Sequence, residues 1–246
     1  MAAIRLDNQG RRRGIVEAAV PLFARKGFAG TTTKEIAEAA RVSEALVFKH
    51  FPSKAALYEE ILQLGCLGDP ALDCLGAVTP STASLINIVH FMLRHFVLEI
   101  GTAGDMETRQ RLMVNSFRED GEYARLVFDW VLERIYPKIE ECLLAAEAAG
   151  DLVDSPVTLE NRFWFGQHVA AMMAYVRLPG RSAVPYRGEL HDLIAQAAWF
   201  ILRGFGVKDA VIAAHPVPPY ETAPADAPAG SPDLRARVVA HAQGEN

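Results

Sequence analysis

The stretch TTTKEIAEAARVSEALVFKHFPSK, residues 31–54, decides the fold of the first part of this chain. Thr33 is suited to begin a short helix, because its hydroxyl can accept a hydrogen bond from a free N–H group of the first turn. Ser43 can cap a second helix, and Pro52 predicts its end, since proline disfavours helical geometry in the preceding residue. Apolar residues recur three and four positions apart at Ile36, Ala37, Ala40, Leu46, Val47 and Phe51. Two short helices joined by a turn at 41–42 predict a helix-turn-helix, whose second helix enters the major groove of DNA.

Residues of this segment that are candidates for contact with DNA are Thr33, Lys34, Ser43, Glu44, Ala45, Phe48, Lys49, His50 and Lys54. The cationic side chains and the hydroxyl groups can donate hydrogen bonds to phosphates, which position a protein on the duplex. Phe48 can make only apolar contacts, for instance with a sugar or a thymine methyl group. Glu44 has two interpretations: a carboxylate that accepts from a cytosine amino group, or an exposed glutamate at a helix N-terminus.

The segment from about Arg11 to Leu64 resembles the DNA-binding domain of TetR-family transcriptional regulators. The resemblance rests on AAVPLFARKGFAGTTTKEIA at 18–37, followed by ARVSEALVFKHFPSKAALY at 40–58. One departure lies at 44–46, where Glu, Ala and Leu stand in place of the basic residue, glycine and threonine of many members. At these positions, base and phosphate contacts cannot be transferred from the common pattern. Phe48 occupies the place of a tyrosine that usually reaches the DNA backbone.

The resemblance implies a homodimer that binds a roughly palindromic operator in double-stranded DNA. It also implies a repressor that a small-molecule effector, largely apolar, releases from that operator. The alternative is a dimeric DNA-binding regulator without a small-molecule effector, controlled by a protein partner or by its own concentration. A filled core around Trp164 and His168 would favour this alternative.

The pattern along the chain predicts an all-α protein. Half of the 246 residues are hydrophobic, helix-forming residues dominate, and no stretch alternates for long as a strand does. We predict a three-helix DNA-binding domain over 1–64, a linker over 65–81, and a larger helical effector-binding and dimerisation domain over 82–208. Residues 209–246 are rich in proline and alanine, lack a packing face and are expected to be disordered. Predicted helices outside the helix-turn-helix run over 11–26 (with a kink at Pro21 and with Gly27 as its C-cap), 53–64, 82–100, 105–118, 120–149, 155–178 and 189–205.

Charge is distributed unevenly along the chain. The formal net charge is −5, yet residues 1–64 hold ten Lys and Arg against seven Asp and Glu, a net of +3. A basic head on an acidic body is typical of a protein that touches DNA with one end only. Arg5 and the cluster at 11–13 fit either phosphate or minor-groove contact or a solvated helix start.

The larger domain carries two sets of candidate residues. A bulky stripe, from which we predict an interior effector site, comprises Phe91, His95, Met113, Phe117, Phe128, Trp130, Trp164, His168, Met172 and Tyr175. Such a stripe is also typical of a plain core. By resemblance, the last two helices form a four-helix dimer interface, to which we assign Phe163, Gly166, Ala170, Ala174, Leu190, Ile194, Ala197, Ala198, Ile201 and Phe205.

Signals for catalysis and metal binding are weak. Cys66, Cys74 and Cys142 form no metal-binding spacing, and His95 with Glu99 has no third ligand at a convincing distance in the sequence. We find no GxSxG motif, P-loop or dinucleotide-binding turn, and therefore predict no enzyme, no metal and no cofactor. No signal peptide opens the chain, and its longest apolar run, at 169–176, is too short to span a membrane. These features predict a cytoplasmic protein.

Overall fold

The computed structural model describes residues 8–66, 74–98, 104–179 and 181–216. Within these ranges the chain is helical, and a single antiparallel bridge between Leu152 and Val207 is the only β contact. The all-α prediction is confirmed. The helices are α1 (Asn8–Lys26), α2 (Thr33–Ala39), α3 (Glu44–His50), α4 (Lys54–Cys66), a 3₁₀ helix (Cys74–Ala77), α5 (Thr82–Leu98), α6 (Gly104–Arg118), α7 (Glu122–Arg134), α8 (Tyr136–Ala148), α9 (Leu159–Tyr175), α10 (Leu190–Phe205) and α11 (Asp209–Ala214).

Several helix boundaries differ from the prediction. The helix expected over 120–149 is two helices, because Pro137 lacks an N–H group and stands in the first turn of α8, where none is needed. Pro21 lies inside α1 without ending it. Helix α9 begins after Thr158, whose hydroxyl accepts from the N–H of Asn161, rather than at 155. Helix α11 occupies the start of the expected disordered tail; residues 217–246 of that tail, like residues 1–7 with Arg5, lie outside the described ranges.

The chain divides into two compact units. The N-terminal unit comprises residues 1–68 and 104–129, and the C-terminal unit comprises 69–103 and 130–246. This division differs from the predicted one, which placed all of 82–208 in a single domain. The physical reason is that α6 packs against α1 within the N-terminal unit.

Two side chains, one within α6 and one just after α6, hold the end of α1 and the loop that follows α1. The Asn115 amide donates to the Ala24 carbonyl at 2.8 Å, and the Glu119 carboxylate accepts from the Ala29 N–H at 3.0 Å. Gly27 ends α1 with φ of 74°, and a Cβ there would lie 1.7 Å from Glu119 Oε1. The positive φ is the reason for glycine at this position, which agrees with the predicted C-cap.

Aromatic rings and buried aliphatic side chains form the core of the N-terminal unit. The Tyr58 ring lies 4.5 Å from Phe23, 4.8 Å from Phe28 and 5.3 Å from Tyr123, measured between ring centroids. Because Tyr123 belongs to α7, this cluster joins the helix-turn-helix region to the second segment of the unit. The largest fully buried side chains here are Ile15, Phe23, Ile36, Phe51, Leu57 and Leu112.

The core of the C-terminal unit lies between α5, α8, α9 and α10, with α10 packed against both α5 and α9. Arg162, in the first turn of α9, is buried and joins that helix to the end of α10. Its Nη1 donates to the Phe205 carbonyl at 2.8 Å, and its Nε donates to the Val157 carbonyl at 2.9 Å. Gly206 follows in the left-handed conformation and ends α10. None of the helices in the described ranges is long and apolar enough to cross a membrane.

Candidate nucleic-acid interface and interior cavity

Helix α2 begins with a capping box. The Thr32 hydroxyl accepts from the Glu35 N–H at 3.2 Å, and the Glu35 carboxylate accepts from the Thr32 N–H at 2.9 Å. Lys26 donates to the same carboxylate at 2.6 Å, and these hydrogen bonds hold the pKa of Glu35 at about 2. Thr32 is therefore the cap, and the assignment to Thr33 is wrong, because only the residue before the first helical one can reach the free N–H groups.

The turn between α2 and α3 is tight and holds one strained residue. Arg41 has φ of 55°, a left-handed conformation that favours glycine, and the Val42 N–H donates to the Ala37 carbonyl at 2.9 Å. Ser43 then caps α3 as predicted, since its hydroxyl accepts from the Leu46 N–H at 3.2 Å. These contacts fix the start and direction of α3.

Helix α3 presents one exposed face. Glu44, Ala45, Phe48 and Lys49 are exposed on it, whereas Val47 is buried against the rest of the unit. Phe48 leaves 49% of its surface exposed. Lys34 of α2 is exposed as well. The exposed face of α3 therefore contains four of the nine predicted DNA-contact residues.

Two of the other predicted contacts are engaged within the fold. The Thr33 hydroxyl donates to the Glu44 carboxylate, so that these two side chains tie α2 to α3. The Lys54 ammonium donates to the carbonyls of Phe28 at 2.8 Å and Thr31 at 3.1 Å, and it lies 4.2 Å from the centroid of the Phe28 ring. Lys54 thus holds the loop before α2 in place.

His50 is half-buried at the end of α3. Burial lowers its pKa, and the positive charges of Arg12, Lys49 and Arg11 lower it further. Its Nε2 is buried without a hydrogen-bond partner in the described part of the chain. Its backbone carbonyl, at the end of α3, accepts from Arg12 Nη1 at 2.8 Å.

Arg12 is a residue whose role the sequence analysis missed. Its guanidinium forms a bidentate ion pair with the Glu60 carboxylate, with Nε–Oε1 at 2.9 Å and Nη2–Oε2 at 2.7 Å. The same group lies 4.4 Å from the centroid of the Phe51 ring, and its hydrogen bond holds the pKa of Glu60 below its usual range. Arg12 therefore fastens α1 to α3 and α4. Of the basic cluster at 11–13, Arg13 pairs with Glu17 at 2.8 Å.

The C-terminal unit contains a cavity of about 90 Å³. Its walls come from α5, α7, α8, α9 and α10, and no charged side chain is among them. The lining residues are Ile88, Val89, Met92, Leu93, Phe96, Trp130, Val131, Ile135, Ile139, Phe163, Gly166, Gln167, Ala170, Ile201 and Phe205.

Of the predicted effector residues, Trp130 alone lines this cavity. His168 and Met172 are exposed on the outer side of α9, and Trp164 and Tyr175 are half-buried. His95 is buried but stacks on Phe91 at 5.9 Å, outside the lining. The remaining predicted residues, Met113, Phe117 and Phe128, belong to the N-terminal unit. The bulky stripe therefore does not converge on one interior site.

Most of the predicted dimer residues are buried inside their own chain. Phe163, Gly166, Ala170, Ile201 and Phe205 line the cavity, Ala174, Ile194, Ala197 and Ala198 are buried, and Leu190 is half-buried. The reason is close packing of α9 on α10, since a Cβ on Gly166 would lie 2.8 Å from the Phe205 ring. These side chains are not available to a second chain.

The opposite faces of the same two helices carry exposed apolar side chains. On α9, Phe165 is 59% exposed and Met172 55%; on α10, Trp199 is 47% exposed and Phe200 61%. The sequence could have indicated this face, because Trp199 and Phe200 lie outside the row of apolar residues that α10 buries. A helix with apolar residues on two sides indicates one side for the core and one for a partner.

The described residues hold no group of three or more His, Cys, Asp or Glu side chains that could bind a metal ion. Cys142 is buried, and burial raises the pKa of its thiol. Neither feature offers a reactive group in a cleft.

Comparisons with known proteins agree with this geometry. Residues 15–61, which contain the capped α2–α3 pair, match the family model described as bacterial regulatory proteins, tetR family. The chain is 32% identical over 115 residues to the HTH-type transcriptional regulator YvkB of Bacillus subtilis (strain 168), covering 46% of this chain and 54% of YvkB. It is 40% identical over 60 residues to the HTH-type transcriptional repressor KstR2 of Rhodococcus jostii (strain RHA1), covering 24% of this chain and 29% of KstR2.

The match to these relatives is partial, since the chain spans about half or less of their length. The fold is similar over a longer range to the crystal structure of a TetR family transcriptional regulator from Pseudomonas syringae pv. tomato str. DC3000. That likeness covers 80% of this chain and 97% of the other, with a TM-score of 0.53 and 22% identity. The N-terminal segment over residues 15–61 is thus similar to the bacterial regulatory proteins of the tetR family.

Proposed function

We propose that this protein is a DNA-binding transcriptional regulator that acts as a homodimer and represses transcription until a small molecule occupies its cavity. The observation that carries the proposal is the exposed face of α3. The starts of α2 and α3 are both capped, and both helices lie in the segment that the family model matches. Helix-turn-helix proteins place such a face in the major groove.

The residues of this face divide into two roles. Lys49 and Lys34 are exposed cations that can donate to phosphates and so position the protein on DNA. Ala45 and Phe48 are exposed apolar side chains, suited to contact thymine methyl groups in the major groove. Thr33, Glu44 and Lys54 support the face from within the fold, because their polar groups already hold protein partners.

The DNA-binding face is tested with duplexes that the protein selects from a random pool. We expect Lys49→Ala to weaken binding to selected and random duplexes alike. It should reduce the dependence of log affinity on log salt by about 1.8, since the dimer loses one phosphate contact from each protomer. Phe48→Ala should weaken binding to selected duplexes more than to random ones. Fluorescence anisotropy at several salt concentrations measures both effects.

Arg187→Ala is the matched control, since it removes an exposed positive charge in the C-terminal unit. It should leave both affinities unchanged. If Lys49→Ala and Phe48→Ala bind all duplexes as the wild-type protein does, α3 is not the DNA-binding face.

The exposed apolar faces of α9 and α10 support the proposed homodimer. An isologous interface uses the same patch on both chains, and a palindromic operator presents its half-sites with the same two-fold symmetry. Phe165, Met172, Trp199 and Phe200 supply the apolar side chains that a second copy would cover.

The cavity supports regulation by a small molecule. Its walls are mainly apolar and lie in the C-terminal unit. One of its lining residues, Trp130, lies on α7, whose first part belongs to the N-terminal unit. A ligand that prefers one arrangement of α7 would change DNA affinity by its difference in affinity for the two arrangements.

A further inference from the structure

Two lining residues of the cavity each carry a buried polar atom without a partner. Trp130 Nε1 and Gln167 Oε1 are both inaccessible to solvent and have no hydrogen-bond partner in the described part of the chain. Every other lining residue is apolar. Both atoms thus belong to residues that line one cavity, one on α7 and one on α9.

Leaving such atoms unpaired is costly in a folded protein. A buried donor or acceptor that loses its hydrogen bonds to water retains the cost of desolvation until another group takes their place. An occupant that pairs with both atoms would remove that cost. The two atoms therefore indicate the chemistry of the ligand that the cavity accepts.

We propose that the cavity binds a small uncharged molecule with an apolar body and one hydroxyl group, of the phenol or cyclic alcohol class. The hydroxyl oxygen accepts from Trp130 Nε1–H, and its hydrogen is donated to Gln167 Oε1. A hydroxyl group also suits the other orientation of the Gln167 amide, because it both donates and accepts. That this ligand releases DNA rests on the proposed function; that it binds does not.

The walls exclude other classes. No Asp, Glu, Lys, Arg or His lines the cavity, so a carboxylate or an ammonium would lose its hydration without gaining a charged partner. The cavity of about 90 Å³ is smaller than an engineered cavity of about 150 Å³ that binds benzene, which restricts the ligand to a compact one-ring molecule or a short chain.

The test uses phenol, toluene and benzoate as probes on the full chain without DNA. Toluene has nearly the shape of phenol but cannot form hydrogen bonds, and benzoate carries a charge. Protein NMR follows the indole N–H signals of Trp130, Trp164 and Trp199, and the signal that disappears in Trp130→Phe is assigned to Trp130. We expect phenol to shift the Trp130 signal more than toluene does, and benzoate to shift none of the three.

The decisive quantity is the ratio of the toluene Kd to the phenol Kd, because differences in transfer from water cancel between protein variants. Trp130→Phe and Gln167→Met should each lower this ratio about tenfold, the effect of one hydrogen bond. Met92→Leu changes an apolar wall at nearly constant volume and should leave the ratio unchanged. Either polar variant suffices if the other does not fold.

An unchanged ratio in a folded polar variant, or phenol that binds nowhere near Trp130, overturns this proposal. DNA affinity of the wild-type protein is measured separately. If the protein prefers phenol as expected but binds no selected duplex, the ligand site is supported and the proposed function is contradicted. If the protein binds selected duplexes but not phenol, the DNA-binding function is supported and this ligand assignment is contradicted.

Discussion

Glu35 stabilises the start of α2 through contacts with three groups. Its carboxylate accepts from the Thr32 N–H, the Thr32 hydroxyl and Lys26. All three groups precede α2 in the chain, so a single side chain holds the loop and the helix together. Glu35 therefore helps to fix where the first helix of the helix-turn-helix begins.

The pKa of Glu35 predicts how this contribution depends on pH. The folded-state pKa is about 2 and the ordinary value is 4.5, so the carboxylate is depressed by its hydrogen bonds, Lys26 first. A depressed acid stabilises the folded state above its unfolded pKa and loses that effect as pH falls from 4.5 towards 2. We expect Glu35→Gln to show a smaller decrease in urea midpoint over this pH range than the wild-type protein.

Glu38→Gln serves as the control, because Glu38 is an exposed glutamate of the same helix. It should follow the wild-type pH dependence more closely than Glu35→Gln does. Parallel curves for Glu35→Gln and the wild-type protein would show that the capping box contributes nothing specific to pH-dependent stability.

The close approach of α9 and α10 depends on a missing side chain. A Cβ on Gly166 would lie 2.8 Å from Phe205 Cε1 and 2.9 Å from Ile201 Cγ2, distances that real Cβ atoms do not adopt. Both neighbours are buried in the core of the C-terminal unit, so an added Cβ would force them to shift. Small residues on this side of α9 therefore serve packing inside one chain.

We predict that Gly166→Ala lowers the free energy of unfolding by about 1–3 kcal/mol, because an added methyl group overpacks a dense core. Gly204→Ala is the matched control on α10, where a Cβ would meet no atom within 4 Å. It should leave stability unchanged or raise it by up to about 1 kcal/mol, since alanine favours helix. Urea denaturation measures both; equal effects of the two substitutions would contradict close packing at Gly166.

At the scale of the whole molecule, the chain passes between its units three times, after residues 68, 103 and 129. The last passage lies inside α7, which carries Tyr123 against Tyr58 in one unit and Trp130 in the wall of the cavity in the other. This connection is the reason for proposing that an occupied cavity alters DNA affinity.

The proposed homodimer is tested on the exposed faces of α9 and α10. We expect Phe200→Glu to convert dimers to monomers in sedimentation experiments, because it would place an unpaired charge in an apolar interface. Affinity for palindromic duplexes should fall with it, since each monomer reaches one half-site only. Leu144→Glu, at a leucine of α8 that is 50% exposed, introduces the same charge outside this face and should remain dimeric. Dimers that persist in Phe200→Glu, or monomers in Leu144→Glu, would place the interface elsewhere.

The sequence alone determined the local features of the DNA-binding segment. Ser43 and Gly27 act at the ends of helices, where capping depends on neighbours in the chain, and the structure places both as predicted. Even there the shift of the α2 cap from Thr33 to Thr32 depended on which residue takes the first helical conformation. The exposed face of α3 was predictable for the same reason, because periodicity separates Val47 from Phe48 and Lys49.

Only the tertiary structure decided which side of α9 faces inward. The sequence showed a small side around Gly166 and a bulky side around His168 and Met172, and the prediction gave the interior to the bulky side. Both sides are apolar enough to be buried, so periodicity could not separate them. The choice depends on α10, whose Ile201 and Phe205 need the space that Gly166 leaves, and this contact joins residues distant in sequence. The partners of Lys54 and Arg12 were hidden for the same reason, since a charged side chain reveals its contacts only when distant carbonyls and carboxylates are brought beside it.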